Sequence, residues 1–357
     1  MIEFNYEIKT IFIMLGFSCN FRCKYCLQHE DKSIIKNESY NPDIINFIKK
    51  IVKKQNKPCQ IHFFGGEPLL YINIIKDFIE KLKDEKNIQY SMITNGSLIT
   101  KEIAEFLIQN DVSVGISWDG RNSKLSRGVD IFETNKENIF LLKNGFGISG
   151  VINKYNSIKS FLEDVECIDN EFKKINHTQI DIKHNIDCLY NSEHSTDDIY
   201  NIDYTKIHSE MEEMAYNFVY NPEKNKPIEN NYINTFINDI RGYEEYNEET
   251  NNKSLSPYCG NGIFVLNLDL QGNLYLCHND SKTILGNIYS TFNEYMTKYK
   301  EKNTIPYFYK KYCHSCSVRF ICNGGCMLCD EEERLTSFCK QKKARFSSII
   351  NTLLTIK

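Results

Sequence analysis

Only one tryptophan and seven prolines occur among the 357 residues. No apolar run approaches the roughly 18 residues that span a bilayer, which excludes a membrane-spanning helix. Positive charge is not in excess: Lys and Arg number 43 against 47 Asp and Glu, for a net charge of −4. That balance gives no basic face for nucleic acid. The N-terminus, Met1-Ile2-Glu3-Phe4-Asn5, carries an acid and lacks the basic start of a signal peptide. No internal repeat and no low-complexity linker stands out. What is abundant is cysteine, with 14 residues. A chain without an export signal is expected to stay in the reducing cytoplasm, where cysteines serve as metal ligands rather than disulfides. The length suits one large domain and one small one.

From residue 8 to about 182, short apolar runs of strand length alternate with longer segments of helical period. Strands are expected at Ile8–Leu15, Gln60–Phe64, Gln89–Ile93, Val112–Ser117, Ile148–Ile152 and Thr178–Ile182. Between them fall helices: one opened by Asn41-Pro42, then Ile72–Leu82, Lys101–Gln109, a segment from a Thr134/Glu137 capping box to Leu142, and Ser157 to about Ile168. Six βα units in a row predict a parallel sheet with helices outside it, the α/β pattern of a full or partial TIM-type barrel. In such folds reactive groups gather at the C-terminal ends of strands. Residues 184–256 are polar and rich in Asn and Glu, with helices expected at Tyr204–Val219 and Ile228–Ile240, and read as a bridge. Residues 257–357 hold a second cysteine cluster and a last helix over Cys339–Leu354. The expected division is therefore 1–183, 184–256 and 257–357.

Cys19-x3-Cys23-x2-Cys26 follows the first strand directly. Three thiolates on one loop can hold three irons of a [4Fe–4S] cluster and leave the fourth iron open. Zinc generally takes four ligands, and His29 is the only other candidate nearby; it reads as a surface residue. Further motifs fall on successive strand ends: Gly65-Gly66-Glu67-Pro68, Thr94-Asn95-Gly96 and Ser117-Trp118-Asp119-Gly120, with Arg127 a little beyond. Glycines allow backbone to approach a ligand, and a carboxylate can pair with an ammonium.

The three-cysteine spacing with Tyr25 before the third cysteine, followed by these motifs in order, resembles the radical S-adenosylmethionine (SAM) superfamily. The resemblance implies that Cys19, Cys23 and Cys26 carry the cluster that binds SAM. It implies that Gly65, Gly66, Glu67 and Pro68 meet the SAM amino group, with Thr94 and Asn95 nearby. Ser117 and Asp119 would lie near SAM and substrate, Arg127 toward the SAM carboxylate, and Tyr25 against the adenine. Bound in this way, SAM is cleaved by one electron to methionine and a 5′-deoxyadenosyl radical, which abstracts hydrogen from a C–H bond.

The second group reads Cys259-x12-Gly272-x4-Cys277, then Cys313-x2-Cys316-x5-Cys322-x3-Cys326, then Cys339. Gly262 to Cys277 reads as a β-hairpin turning at Gln271-Gly272. The pattern resembles the SPASM domain of peptide- and protein-modifying radical SAM enzymes. By that resemblance Cys313, Cys316, Cys322 and Cys339 hold a far auxiliary cluster, and Cys259, Cys277 and Cys326 a near one. Many relatives supply a fourth near ligand about six residues after the first cysteine; here that stretch has none. Two alternatives stand: an open iron, or ligation by Cys329. A structural zinc site is the competing reading of these thiols. Cys59, Cys167 and Cys188 read as small buried hydrophobes.

The layout is closest to anaerobic sulfatase-maturating enzymes, which place a catalytic Asp directly after the second SPASM cysteine. This chain has His278 there and Asp280 two residues later. The leading expectation is therefore a maturase of a ribosomally made peptide, forming a thioether or other crosslink or epimerising a residue. Cys329, His278 and Asp280 are the candidate catalytic residues. Formylglycine formation is the alternative, and a non-catalytic iron–sulfur protein a minor one. The implied cofactors are three [4Fe–4S] clusters and SAM. The implied partners are a peptide or protein substrate and an electron donor such as flavodoxin or ferredoxin, with no nucleic acid and no membrane. Few residues precede the first strand, so leader recognition is expected from a separate protein or from the 184–255 region.

Overall fold

The computed structural model describes residues 1–28, 39–189, 197–237, 260–280, 282–302, 311–322, 324–326, 328–329, 332 and 334–354. Their centre is one nine-stranded sheet. Six parallel strands follow one another in space as in sequence: β1 (Thr10–Met14), β2 (Cys59–Phe64), β3 (Ile88–Thr94), β4 (Val112–Ser117), β5 (Gly147–Ile152) and β6 (Lys183–Cys188). Successive crossovers that all step the same way keep their helices on one face, so the sheet curls away from them into a partial barrel.

The helices show why they dock. α1 (Asp43–Lys54) buries Ile44, Phe47, Ile48 and Ile51, and α2 (Ile72–Leu82) buries Ile75, Phe78, Ile79 and Leu82. Both sets follow the i, i+3, i+4, i+7 spacing of one helical stripe. They cover Ile11, Ile13, Ile61 and Phe63, all at 0% exposure on the outer sheet face. α3 (Lys101–Gln109) is capped by Thr100, whose side chain accepts from the Ile103 backbone N–H. Pro42 occupies the N-cap position of α1, and the preceding Asn41 accepts through its Oδ1 from the Asp43 N–H at 3.0 Å.

Two expected elements are displaced. The helix ascribed to a Thr134/Glu137 capping box starts earlier. Asp130 accepts from Phe132 N–H at 3.0 Å and from Trp118 Nε1 at 2.9 Å, and so caps α5 (Ile131–Thr134), with α6 (Lys136–Ile139) following. α4 (Ser123–Arg127) precedes them. The strand expected at Thr178–Ile182 is instead a connector. α7 (Ile158–Asn176), opened by a Ser157–Ser160 capping box, runs past Ile168 and ends with His177 at φ 49°. Asp169 on that helix then accepts from the Ile182 N–H at 2.7 Å, and strand pairing begins only at Lys183.

The chain returns after residue 259 on the opposite edge. β7 (Val265–Asp269) runs parallel to β1, and β8 (Asn273–Tyr275) and β9 (Ile284–Asn287) extend the sheet antiparallel. The hairpin turns where the sequence placed it, with Gly272 at φ 90°. α8 (Tyr204–Tyr220) packs against the C-terminal helix Cys339–Leu354. Residues 227–237 form α9, and Phe292–Lys302 form α10. Arg345 of the C-terminal helix donates to the Ile186 carbonyl at 2.9 Å and to the Tyr232 hydroxyl at 3.0 Å, tying β6 and α9 together. Among the described residues no helix is long and apolar enough to cross a membrane.

Register decides what faces the inside of the curl. Asn267, Phe12, His62, Ser91 and Ser113 lie side by side on β7, β1, β2, β3 and β4. Farther along β4 the same face presents Gly115 and Ser117, and β5 pairs Gly147 and Ser149 with them. Small side chains there leave the inner face open beside the strand ends.

Candidate functional site

The loop after β1 is fastened to the loop after β2 by backbone alone. Gly66 N–H donates to Gly16 O and Glu67 N–H to Ser18 O, both at 2.9 Å. A Cβ on Gly65 would lie 2.5 Å from Gly16 O, and one on Gly66 2.4 Å from Ser18 O. These glycines are thus required by the approach of the two loops to each other. Cys19, Cys23 and Cys26 are half-buried thiols on the first of those loops, none of them in a disulfide. The Phe21 N–H donates to Cys19 Sγ at 3.4 Å. Burial pushes the Cys19 thiol up and Cys23 to about 11, and the neighbouring thiols add to both shifts. Metal binding therefore has to displace their protons. Among the described residues no three His, Cys, Asp or Glu side chains close on a single ion. A cluster asks for a looser cage, because each thiolate binds a different iron.

Glu67 does not face open space. Its carboxylate, 1% exposed, accepts from Thr94 Oγ1 at 2.6 Å, Asn95 N–H at 2.8 Å and Leu69 N–H at 3.0 Å. Asn95 in turn donates to Asn20 Oδ1 at 2.8 Å. The Gly-Gly-Glu-Pro and Thr-Asn-Gly motifs are therefore joined to each other and to the cysteine loop. Pro68 opens a short turn over Pro68–Tyr71.

Asp119, at 1% exposure, is the second hub. It accepts from Tyr25 OH and Ser126 Oγ at 2.6 Å, Arg127 Nη2 at 2.9 Å and Val151 N–H at 3.0 Å. The Arg127 guanidinium also lies over the Tyr25 ring, 5.5 Å from its centroid. Burial alone would depress Arg127, but Asp119, Tyr25 and Cys23 outweigh it and hold the guanidinium above its usual range. Its Nε and the Ser18 hydroxyl are buried without a protein partner. An orphaned guanidinium N–H beside three thiols suits a ligand that carries a carboxylate. The lysine before Tyr25 closes the loop: Lys24 N–H donates to Ser126 O at 2.9 Å. Ser117 is half-buried at the end of β4.

His278 stacks on Phe12, with centroids 4.1 Å apart and planes 11° from parallel, and meets the edge of Phe64 at 4.6 Å. Asp280 is engaged in its own turn, accepting from Lys282 N–H at 2.9 Å and Thr283 N–H at 3.1 Å. A residue that the sequence reading missed shares this floor. His62 lies 4.7 Å from Phe12 and its Nδ1 meets Ser91 Oγ at 2.8 Å. Burial lowers both imidazoles to about 4, with His62 adding to the effect on His278. Both are neutral at pH 7, and His62 Nε2 and His278 Nδ1 have no protein partner. The only signal for His62 was its place one residue out of phase with the buried Ile61 and Phe63.

In the C-terminal region Cys313, Cys316, Cys322 and Cys339 line one cavity of about 120 Å³. A single water needs only about 10–15 Å³ on that measure, so the space exceeds one ion. Burial pushes Cys322 up to about 12, and the other three thiols add to the shift. The buried Cys277 Sγ accepts from Asn279 N–H at 3.4 Å and Asn261 Nδ2 at 3.5 Å. Asn267, at 0% exposure, holds Asn261 Oδ1 at 3.1 Å and so turns the Nδ2 toward the sulfur. Cys329 is buried, its N–H directed at Cys326 O at 3.4 Å. Cys259 and His29 lie outside the described residues, as does the Cys188 side chain. Cys59 is buried as expected, whereas Cys167 is exposed on α7. Cys167 shares a helix with the buried Val165 and Ile168 but points away from their stripe.

The family model of the radical SAM superfamily matches residues 13–153, a span that holds the cysteine loop, both glycine motifs, Asp119 and Arg127. That span is a radical SAM domain. The radical SAM cyclopropyl synthase TigE of Paramaledivibacter caminithermalis is 36% identical over 137 residues, which cover 34% of this chain and 29% of that relative. The cysteine-type anaerobic sulfatase-maturating enzyme of Clostridium perfringens is 26% identical over 387 residues, 95% of each chain. In fold the enzyme resembles native anSMEcpe with bound AdoMet, at TM-score 0.63 and 21% identity, over 98% of this chain and 100% of that one. It also resembles Streptococcus suis SuiB bound to precursor peptide SuiA, at TM-score 0.58 and 16% identity, over 90% of this chain and 72% of that one. The sheet of the partial barrel extends through β7, β8 and β9, the hairpin that leads to Cys277.

Proposed function

We propose that this radical SAM enzyme modifies a residue of a ribosomally made peptide, by a thioether or other crosslink or by epimerisation. The observation that carries the reading is the residue after Cys277. A neutral, half-buried His278 stands there against Phe12 and Phe64, where sulfatase-maturating enzymes carry an acid. Formylglycine formation remains the second reading, favoured by the match over 95% of the Clostridium perfringens relative.

In this proposal Cys19, Cys23 and Cys26 would hold a [4Fe–4S] cluster, which together with SAM would supply the radical chemistry at the substrate. The chain's own residues orient and exclude water. Arg127 meets the SAM carboxylate through its orphaned Nε, and Asp119 fixes both Arg127 and the Tyr25 ring. Gly65 to Pro68, with Thr94 and Asn95, hold the loops that frame the amino group, and Ser117 faces the same space. Cys313, Cys316, Cys322 and Cys339 hold a second cluster. Cys259, Cys277 and Cys326 would hold a third, with Cys329 or a substrate group as its remaining ligand. His278 and His62 present neutral hydrogen-bonding nitrogens to the substrate residue, with Asp280 shaping the turn behind them. Residues 1–183, 184–256 and 257–357 serve as radical core, bridge and auxiliary-cluster unit. The setting is the cytoplasm, with a flavodoxin- or ferredoxin-type electron donor, and with leader recognition by a separate protein or by the 184–255 region.

The test is a mass spectrum of a short Cys-containing precursor encoded beside this gene, incubated with enzyme, SAM and reductant. A crosslink removes two hydrogens per event and keeps the sulfur. Epimerisation leaves the mass unchanged but takes up deuterium from labelled solvent. A hydrazide-reactive aldehyde on a sulfatase peptide, with no change in the precursor, contradicts the first reading and establishes the second.

A further inference from the structure

Three lysines line the cavity formed by Cys313, Cys316, Cys322 and Cys339. They differ in what surrounds them. Lys340 and Lys343 are exposed, so water and salt screen them. Lys342 is 4% exposed. Its ammonium lies between two rings, 5.2 Å from the centroid of Phe338 and 5.5 Å from that of Phe346. Phe338, just before the C-terminal helix, and Lys342 and Phe346 within it are spaced four residues apart, and the helix presents Cys339 and Lys342 to the same cavity. The chain goes to some length to seat Phe338 there. A π-helical turn over Arg334–Phe338 precedes Cys339, and a Cβ on Gly325 would come within 2.5 Å of the Phe338 ring. Only glycine at φ 81° allows that ring so close.

A buried ammonium is costly unless an opposite charge is close. The thiol sulfur of Cys322 is within electrostatic reach of Lys342. Four thiolates around an iron–sulfur cluster make that centre net negative, and reduction adds one more electron. A fixed positive charge in a poorly polarisable interior stabilises the reduced form more than the oxidised one. The two rings keep water from the ammonium and add a cation–π attraction that holds it in place.

We infer that Lys342 is a positioning charge that raises the reduction potential of the metal centre held by Cys313, Cys316, Cys322 and Cys339. The inference rests on the proposal that this cavity holds a four-iron cluster.

The experiment is a redox titration of the anaerobically reconstituted holoenzyme, followed by electron paramagnetic resonance. Wild type is compared with Lys342→Gln, Lys342→Arg and Lys343→Gln. The expected result is a lower midpoint for one centre in Lys342→Gln, the other two centres unmoved. Lys342→Arg and Lys343→Gln should titrate as wild type. A fully loaded Lys342→Gln that titrates as wild type overturns the inference. If Lys342→Gln loses iron while Lys342→Arg keeps it at the wild-type midpoint, the charge is what the centre needs. Equal iron loss in both variants overturns the inference in favour of packing. Zinc in the wild-type cavity removes the four-iron reading itself, a failure distinguished by metal content alone.

Discussion

Changing Cys23 to alanine abolishes production of 5′-deoxyadenosine from SAM. The three half-buried thiols after β1 sit on a loop clamped from two sides: by the Gly16 and Ser18 carbonyls under the glycine motif, and by the Lys24 bond to Ser126. Such a loop cannot swing in a substitute ligand, and the thiols that act on Cys23 among the described residues are Cys19 and Cys26. Two thiolates do not retain a cube that needs three protein ligands. The iron content should fall by about four from a total of about twelve, while the C-terminal clusters remain. Chromatography of the reaction products, alongside iron analysis, checks both numbers. Undiminished cleavage by the variant contradicts the assignment of the first cysteine group.

The second large effect is on stability. Asp119→Ala leaves the Arg127 guanidinium, Tyr25 hydroxyl, Ser126 hydroxyl and Val151 N–H without their shared acceptor in a site about 1% exposed. Breaking one partner of a buried charge pair costs about 3–5 kcal/mol, because the other charge is left uncompensated. Asp119→Asn keeps an acceptor for Tyr25 or Ser126 and should cost less. The single tryptophan, Trp118, is adjacent and reports on the same spot by fluorescence during urea unfolding. A midpoint equal to wild type in Asp119→Ala contradicts the hub role. Loss of SAM affinity should accompany the instability, because Asp119 orients both Arg127 and Tyr25.

Much of this site was legible because its motifs fall on strand ends, and strand ends were legible where local pattern and burial agree. α2, α3 and β4 have the bounds that periodicity assigns, because each buries one continuous stripe. β6 did not declare itself. Lys183–Cys188 alternates polar residues on an edge, while the apolar Ile180 that drew attention to the preceding stretch is 42% exposed. The pairing of β7 with β1 is equally silent in sequence: a strand pattern reveals a strand but not its partner. The glycines were read as room for a ligand and Glu67 as an ammonium's partner. The structure spends both on joining three loops, which a linear motif cannot distinguish from ligand binding. His62 was overlooked because a histidine among apolar strand residues reads as core, and only register places it on the inner face beside His278.

The account depends most on an iron at the Cys19–Cys23–Cys26 loop that is free to bind SAM. The direct measurement is the electron paramagnetic resonance spectrum of the reduced, anaerobically reconstituted enzyme, recorded before and after SAM is added. The account predicts that one cluster signal shifts, that the auxiliary signals stay in place, and that the shift is absent in Cys23→Ala. Identical spectra with and without SAM contradict it.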